Sequence, residues 1–285
     1  MKTITFECET ITPMFLSGAD GKTPELRPPS IKSAMRFWWR SLNPDLVKKT
    51  DKGFDYSELR KNETELFGGT EHGGKRSKVI ISVALSTLEI TTAFPTPHKE
   101  NPFPKKAISI GSSFYVSLSF NENEIMNTDQ VKNLFVITSI LGGLGNRSRR
   151  GFGSFKILKI DGTDFNQPDN KEEIENFIRQ INKSYAKLNF SPDFPYLQSI
   201  EIGKEHADLT KMIGKATHDI KLKFGWKYNN AMGDSKNRFS SPIYVSVIKR
   251  TDGKLYPIIS TLNTVPPNNG KFDTEIQNDF KNSLT

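Results

Sequence analysis

Gly142-Gly143-Leu144-Gly145-Asn146-Arg147-Ser148-Arg149-Arg150-Gly151-Phe152-Gly153-Ser154 connects a helical pattern to a strand pattern. Five glycines in so short a connection leave the backbone free to take positive φ and to approach a ligand closely. Successive amides in such a loop form an anion-binding nest, and the guanidiniums of Arg147, Arg149 and Arg150 add forked phosphate donors with no acid competing for them. Nucleotide-cradling alternatives fail on spacing. Neither this loop nor Ile213-Gly214-Lys215-Ala216-Thr217 spaces its residues as a Walker A loop does. A dinucleotide fingerprint opens a helix, whereas this loop enters a strand. A purely structural connection needs fewer glycines and no arginine cluster.

Working outward from the loop gives the fold. Before it, a helix capped by Thr128 or Asp129 carries Val131, Leu134, Phe135, Thr138 and Leu141 at helical spacing; after it, residues 152–160 read as a strand. Residues 2–10 alternate as a half-buried strand, and residues 12–29 form a long loop. Ser30 is the expected N-cap of a helix with Ile31, Ala34, Met35, Trp38 and Leu42 on one face, stopped by Pro44. Residues 45–60 read as irregular, with a short helical turn over 63–67. Residues 79–92 form a bent strand, 93–106 a proline-rich loop, and 113–120 a clean strand. The order βαββαβ predicts a ferredoxin-like, RRM-type domain: a four-stranded antiparallel sheet with two helices on one face, the first strand beside the last. The acidic stretch 161–170 marks the boundary, so the expected domains are 1–160 and 161–285. In the second half, residues 171–188 read as a helix and residues 243–249 and 256–261 as strands around Asp252-Gly253, a degenerate copy of the first half. The fold class is α+β, two tandem ferredoxin-like domains.

Composition bounds the function. With 285 residues the chain is long enough for two domains, and 40 Lys+Arg against 32 Asp+Glu leave a net charge of +8. An aromatic share of 11% argues against global disorder. The longest apolar runs, such as Leu134 to Ile137, are far too short to span a membrane, and the alternation Ile4-Thr5-Phe6-Glu7 does not fit a signal peptide, so a soluble cytoplasmic protein is expected. A single cysteine, Cys8, excludes an intrachain disulfide and a cysteine-based zinc site. The cations are segregated: Lys22, Arg27, Lys32, Arg36 and Arg40 face one acid, Glu25, between residues 22 and 42, while the acids gather at 161–175. Such segregation suits one nucleic-acid face and one solvated face.

In Leu26-Arg27-Pro28-Pro29-Ser30-Ile31-Lys32-Ser33-Ala34-Met35-Arg36-Phe37-Trp38-Trp39-Arg40, the aromatic residues read as core. Lys32, Arg36 and Arg40 recur on the opposite face, and with Arg27 they are either solvated or a phosphate grip. A helix start after a glycine-containing loop is a natural phosphate site, and adjacency of the first and last strands would bring it near the glycine loop.

These stretches, together with Ile11-Thr12-Pro13-Met14-Phe15-Leu16-Ser17-Gly18-Ala19-Asp20 and Leu66-Phe67-Gly68-Gly69, resemble the RAMP superfamily. Within it the resemblance is to the first-subunit family of type III-B CRISPR (Cmr) effector complexes. Arg238-Phe239-Ser240-Ser241-Pro242-Ile243 is similar to that family's second-domain segment, although the likeness is dense only over the first 155 residues. Ser17 and Ser33 depart mildly, standing where small residues, often glycine, are expected. The resemblance implies a non-catalytic, RNA-binding subunit that holds the 3′ part of a guide RNA and its paired target RNA beside other subunits of the complex, with no cofactor, metal or membrane. The expected contacts are Arg27, Lys32, Arg36, Arg40, Gly142, Gly143, Gly145, Asn146, Arg147, Ser148, Arg149, Arg150, Gly151 and Gly153. A metal-independent, guide-processing ribonuclease is the alternative. For it His72, in Gly69-Thr70-Glu71-His72-Gly73-Gly74, is the histidine in the most accessible context; His98, His206 and His218 show no local metal spacing. A third reading makes the chain a scaffold whose arginines bind neighbouring subunits.

Overall fold

The computed structural model describes residues 1–70, 74–121, 125–185, 190–234, 236, 239–263, 265 and 273–285. In β1 (Lys2–Thr10) the expected alternation holds: Ile4, Phe6, Cys8 and Thr10 are buried. The next element, α1 (Pro28–Leu42), buries Ile31, Met35, Trp38, Trp39 and Leu42. It begins two residues before the expected cap: Arg27 is the extended N-cap, and Pro28 and Pro29 fill the first turn, where a missing N–H costs nothing. The segment read as irregular contains a short hairpin, β2 (Lys48–Thr50) with β3 (Gly53–Asp55), and α2 (Ser57–Phe67) is a full helix. Its polar face hides the pattern, and only Leu59, Glu63, Leu66 and Phe67 are buried.

The bent strand is two strands. β4 (Ile80–Thr87) stays in the main sheet; β5 (Ile90–Ala93) leaves it to pair with β6 (Lys105–Ile108). After β7 (Ser113–Phe120) comes α3 (Thr128–Leu141), capped by Asn127 and not by Thr128 or Asp129: Asn127 accepts from the Gln130 amide, and the Gln130 side chain accepts from Asn127 in return. The last strand, β8 (Phe155–Ile160), starts three residues later than expected because Gly151 (φ 80°) and Gly153 (φ 69°) are left-handed. β9 (Thr163–Asp164) folds back on β8. The strand order β4-β7-β1-β8 is antiparallel throughout, with Phe6 opposite Val116 on one side and Ile160 on the other. This is the ferredoxin-like order, first strand beside last.

In the second half, α4 (Lys171–Ile181) ends earlier than expected and packs on α3 through Asn133–Gln180 and Gln130–Ile181 hydrogen bonds. There follow β10 (Leu197–Ile202), α5 (Leu209–Phe224), α6 (Lys227–Met232), β11 (Ile243–Lys249), β12 (Leu255–Leu262) and α7 (Thr274–Asn282). The sheet order β10-β12-β11 is antiparallel, and with α5 and α7 it repeats the first five elements of the same motif. One face of β11 (Ile243, Val245, Val247) joins Ile213, Ile276 and Phe280 in a second core. Its other face turns to the first half: Tyr244 meets the rings of Phe37 and Trp38, and Ser246 donates to the Ile140 carbonyl at 2.5 Å. The helices of the first half therefore lie between two sheets. That explains why α3 is buried on all sides from Asn133 to Leu141, with its exposed polar residues confined to the first turn.

Leu144 and Gly153 pair across the glycine loop, the Leu144 amide donating to the Gly153 carbonyl at 2.9 Å. A Cβ on Gly153 would collide with the Leu144 carbonyl, and its φ of 69° is left-handed. Gly153→Ala is expected to cost about 2–4 kcal/mol in stability, read as a lower urea midpoint at unchanged m.

Candidate nucleic-acid interface

The glycine-arginine loop is held from three sides. The Asn146 amide donates to the Phe15 carbonyl (2.9 Å), the Gly153 amide to Pro13 (3.0 Å) and the Gly151 amide to Val245 of β11 (2.8 Å). Gly142, which follows α3, has no room for a side chain: a Cβ would stand 2.6 Å from Trp38 Nε1. Much of the expected nest is thus consumed internally. At the crest the outcome differs. Among the described residues the amides of Arg147, Ser148 and Arg149 have no hydrogen-bond acceptor. Arg147 takes φ 63°, and the Arg150 amide closes a turn onto its carbonyl at 2.8 Å.

The loop's arginines have different environments. Arg149 turns inward, its guanidinium 5.0 Å from the Phe37 ring centroid and 5.3 Å from that of Tyr244, and Nη1 donates to the Ser241 carbonyl at 2.7 Å. Arg150 Nη1 donates to the carbonyls of Arg149 (2.9 Å) and Ile243 (3.0 Å), with its guanidinium 5.5 Å from the Phe280 ring. Both tie the halves of the protein together, so the expectation of three phosphate-facing arginines is corrected. Arg147 is the exception: its Nε is buried without a partner among the described residues. Burial and then Arg150 depress its pKa, so its charge lacks compensation. Tyr244 is hydrogen-bonded to Ser148 and to the Gly143 backbone; burial raises its pKa and keeps it neutral.

The helix α1 adjoins this loop through Phe37, as the strand order predicts, but its cations are partly engaged. Arg36 and Arg40 share the buried Glu63 carboxylate: Arg36 Nε donates to Oε1, Arg40 Nε to Oε2 at 2.9 Å and Arg40 Nη2 to Oε1 at 2.6 Å. The expected pair of unattached phosphate grips is therefore an ion-pair triad, with its remaining N–H groups beside Arg60, Tyr56 and Phe194 in an open cleft of about 480 Å³. Arg27 donates to the Ser17 carbonyl at 3.3 Å. Lys32 has no ion-pair partner among the described residues, and its pKa is lowered by burial and by Arg36. His72 and Arg238 lie outside the described residues.

Sequence reasoning missed Glu63 and Tyr244. Glu63 had a signal: four residues after Leu59 and three before Leu66, it sits on the apolar face of α2, where a charge demands a partner. Tyr244 had none, since its contacts are set by the packing of the halves.

The open face of the first sheet is a different surface. Glu7 and Glu9 face Lys159 and Lys156, and Thr3–Ser119 and Thr5–Ser117 form hydroxyl pairs. Tyr115, opposite Glu7, is the aromatic residue of these central strands on that side. An RRM-type stacking platform needs more than this.

Comparison with known proteins agrees with this geometry. The RAMP superfamily model matches residues 7–156, more than half of the chain. The chain belongs to the RAMP superfamily. This RAMP protein is 29% identical over 184 residues to the CRISPR system Cmr subunit Cmr1-2 of Pyrococcus furiosus, covering 54% of this chain and 95% of that one. It is 30% identical over 225 residues to Cmr1-1 of the same organism, covering 65% of this chain and 64% of that one. The crystal structure of apo Cmr1 from Pyrococcus furiosus superposes with a TM-score of 0.66 at 21% identity, covering 100% of this chain and 97% of that one. A chain of the type III-B Cmr-beta complex bound to cognate target RNA gives 0.61 at 13% identity, with 99% of each covered. Both show a shared fold. No helix among the described residues is long and apolar enough to cross a membrane.

Two outcomes follow from this RAMP protein's ion pairs and rings. Burial opposes ionisation of Glu63, but the hydrogen bonds from Arg40 and Arg36 outweigh it and hold its pKa below the ordinary value. Its stabilisation is complete above the unfolded-state pKa, about 4.3, and is lost as pH falls through the lower folded value. Glu63→Gln is expected to cost about 1–3 kcal/mol at neutral pH, and the gap to wild type should close below about pH 4 in acid-unfolding curves. Arg149→Met removes a charged hydrogen bond and two ring contacts, and is expected to lower stability by about 2–4 kcal/mol in urea unfolding.

Proposed function

We propose that this RAMP protein is a non-catalytic, RNA-binding subunit of a type III-B CRISPR effector complex. In this reading it sits with the other subunits and grips the guide RNA, in its 3′ region, and the paired target through their phosphates. Curated relatives named as Cmr subunits support the assignment to the complex, and a shared fold with a chain from a complex bound to target RNA supports the partner. One observation carries the backbone-directed mechanism: among the described residues, the amides at the crest of the glycine loop have no acceptor and the neighbouring Arg147 has neither an ion pair nor a partner for its buried Nε.

Such groups recognise phosphate oxygens and carry no base preference, which suits a protein that must accept guides of any sequence. Asn146, exposed at the crest, and Ser148 flank Arg147. Lys32, Arg27 and the outward N–H groups of Arg36 and Arg40 extend the cationic surface along α1. Gly142, Gly143, Gly145, Gly151 and Gly153 contribute by fixing the crest's path. Arg149 and Arg150 contribute by holding it against β11.

Arg147→Ala is expected to weaken single-stranded RNA binding about five- to tenfold, equally for unrelated sequences, and to reduce the salt slope by about one unit, with no loss of stability in urea unfolding. An unaltered affinity and slope in the folded variant would remove the crest from the interface. The same preparations, incubated with repeat RNA at enzyme excess without metal, are expected to leave it intact; cleavage would instead support the ribonuclease alternative.

A further inference from the structure

His98 and His218 lie beside the crest with no role yet assigned. His98 comes from the proline-rich connection between β5 and β6, and its ring centroid is 5.5 Å from that of His218 on α5. The His98 ring rests on the α5 backbone where Gly214 leaves space: a Cβ there would stand 2.5 Å from Nδ1. A glycine inside a helix costs roughly 1 kcal/mol relative to alanine, and here it makes room for an imidazole. The Nδ1 atom so placed is buried and has no hydrogen-bond partner among the described residues, the same condition as Arg147 Nε. These two unsatisfied atoms lie where the glycine loop, the β5–β6 connection and α5 meet: a Cβ on Gly151 would stand 2.7 Å from Ile213 Cδ1, and the next residue of α5, Gly214, carries the His98 ring.

We propose that His98, backed by His218, joins Arg147 in holding an RNA phosphate, and that forming this contact draws one proton from solvent onto the imidazole. The inference rests on the crest being an RNA-backbone site. The charges facing His98 are His218 and Asp219 of α5, Arg147 of the glycine loop and Lys99 of its own connection. Desolvation leads in disfavouring the protonated ring, followed by His218, Arg147 and Lys99, and Asp219 only partly offsets them, so the free protein holds His98 with a lowered pKa. A phosphate between Arg147 and His98 reverses that balance: it neutralises the arginine and stabilises imidazolium by a charge-assisted hydrogen bond. Binding and protonation then favour each other by the same factor.

The test follows the His98 Cε1–H resonance through a pH titration of the wild-type protein, free, with inorganic phosphate, and with single-stranded RNA. The His98 pKa is expected to rise by about one unit or more on adding RNA, and RNA affinity to be about threefold or more higher near pH 6 than near pH 8. In His98→Gln most of that pH dependence is expected to vanish. An unmoved His98 titration with RNA, or equal pH dependence in wild type and His98→Gln, overturns the proposal. A His98 shift with inorganic phosphate and none with RNA overturns RNA as the source of the phosphate. The resonance measurement needs no variant to fold. Failure of the crest reading is separately visible as unchanged RNA binding in Arg147→Ala. If Arg147→Ala weakens binding while His98 stays silent, the proton-coupled contact alone is wrong.

Discussion

The guanidinium of Arg149, between the rings of Phe37 and Tyr244 and bonded to the Ser241 carbonyl, joins α1, the glycine loop and the approach to β11 at one point. Those three pieces are far apart in sequence and belong to different halves of the fold. A guanidinium suits this position because it is weakly hydrated, planar enough to lie against aromatic rings, and still able to satisfy a carbonyl with its edge. Arg150 repeats the arrangement one residue on, using the Ile243 carbonyl and the Phe280 ring. The half-buried turn between Arg147 and Arg150 is fixed by these anchors, and among the described residues the amides of Arg147, Ser148 and Arg149 have no acceptor.

The same constraint explains the unusual burial of α3 and β11. A ferredoxin-like half normally shows solvent a helix layer. Here that layer is covered by the second sheet, so Tyr244, Ser246 and Ile248 on one face of β11 are as buried as Val245 and Val247 on the other. Ser246 is affordable in that setting because its hydroxyl meets the Ile140 carbonyl, near the end of α3, where helix carbonyls lose their internal partners.

Where a residue's role follows from its own neighbours in sequence, it could be read in advance. The alternation of β1, the apolar stripe of α1, the break at Pro44 and the turn at Asp252-Gly253 were legible because period and punctuation are local. The helix α2 was mostly missed because its polar surface masks a narrow buried stripe, and the start of α1 was misplaced because prolines at its first turn outweighed a serine cap. For the site, the glycine-arginine loop was legible as a special element, while the division of labour among its arginines was not. Arg147 and Arg149 are the same residue type two positions apart; what separates them is whether the second half brings carbonyls and rings to meet the side chain.

That separation bears on how a fold can hold a polymer of any sequence. An arginine that binds a phosphate must remain uncompensated in the free protein, and an uncompensated charge weakens the fold that carries it. The chain limits this cost by concentrating it. Arg36 and Arg40 share Glu63, Arg149 and Arg150 rest on carbonyls and rings, and at the crest Arg147 has no ion-pair partner among the described residues, with Lys32 nearby on α1 in the same condition. The sheet face, where Glu7 and Glu9 are already matched by lysines, gives up no such charge and offers a phosphate chain little net attraction. On these electrostatics the proposed RNA contact belongs on the side where α1, the crest and α5 meet and not on the sheet.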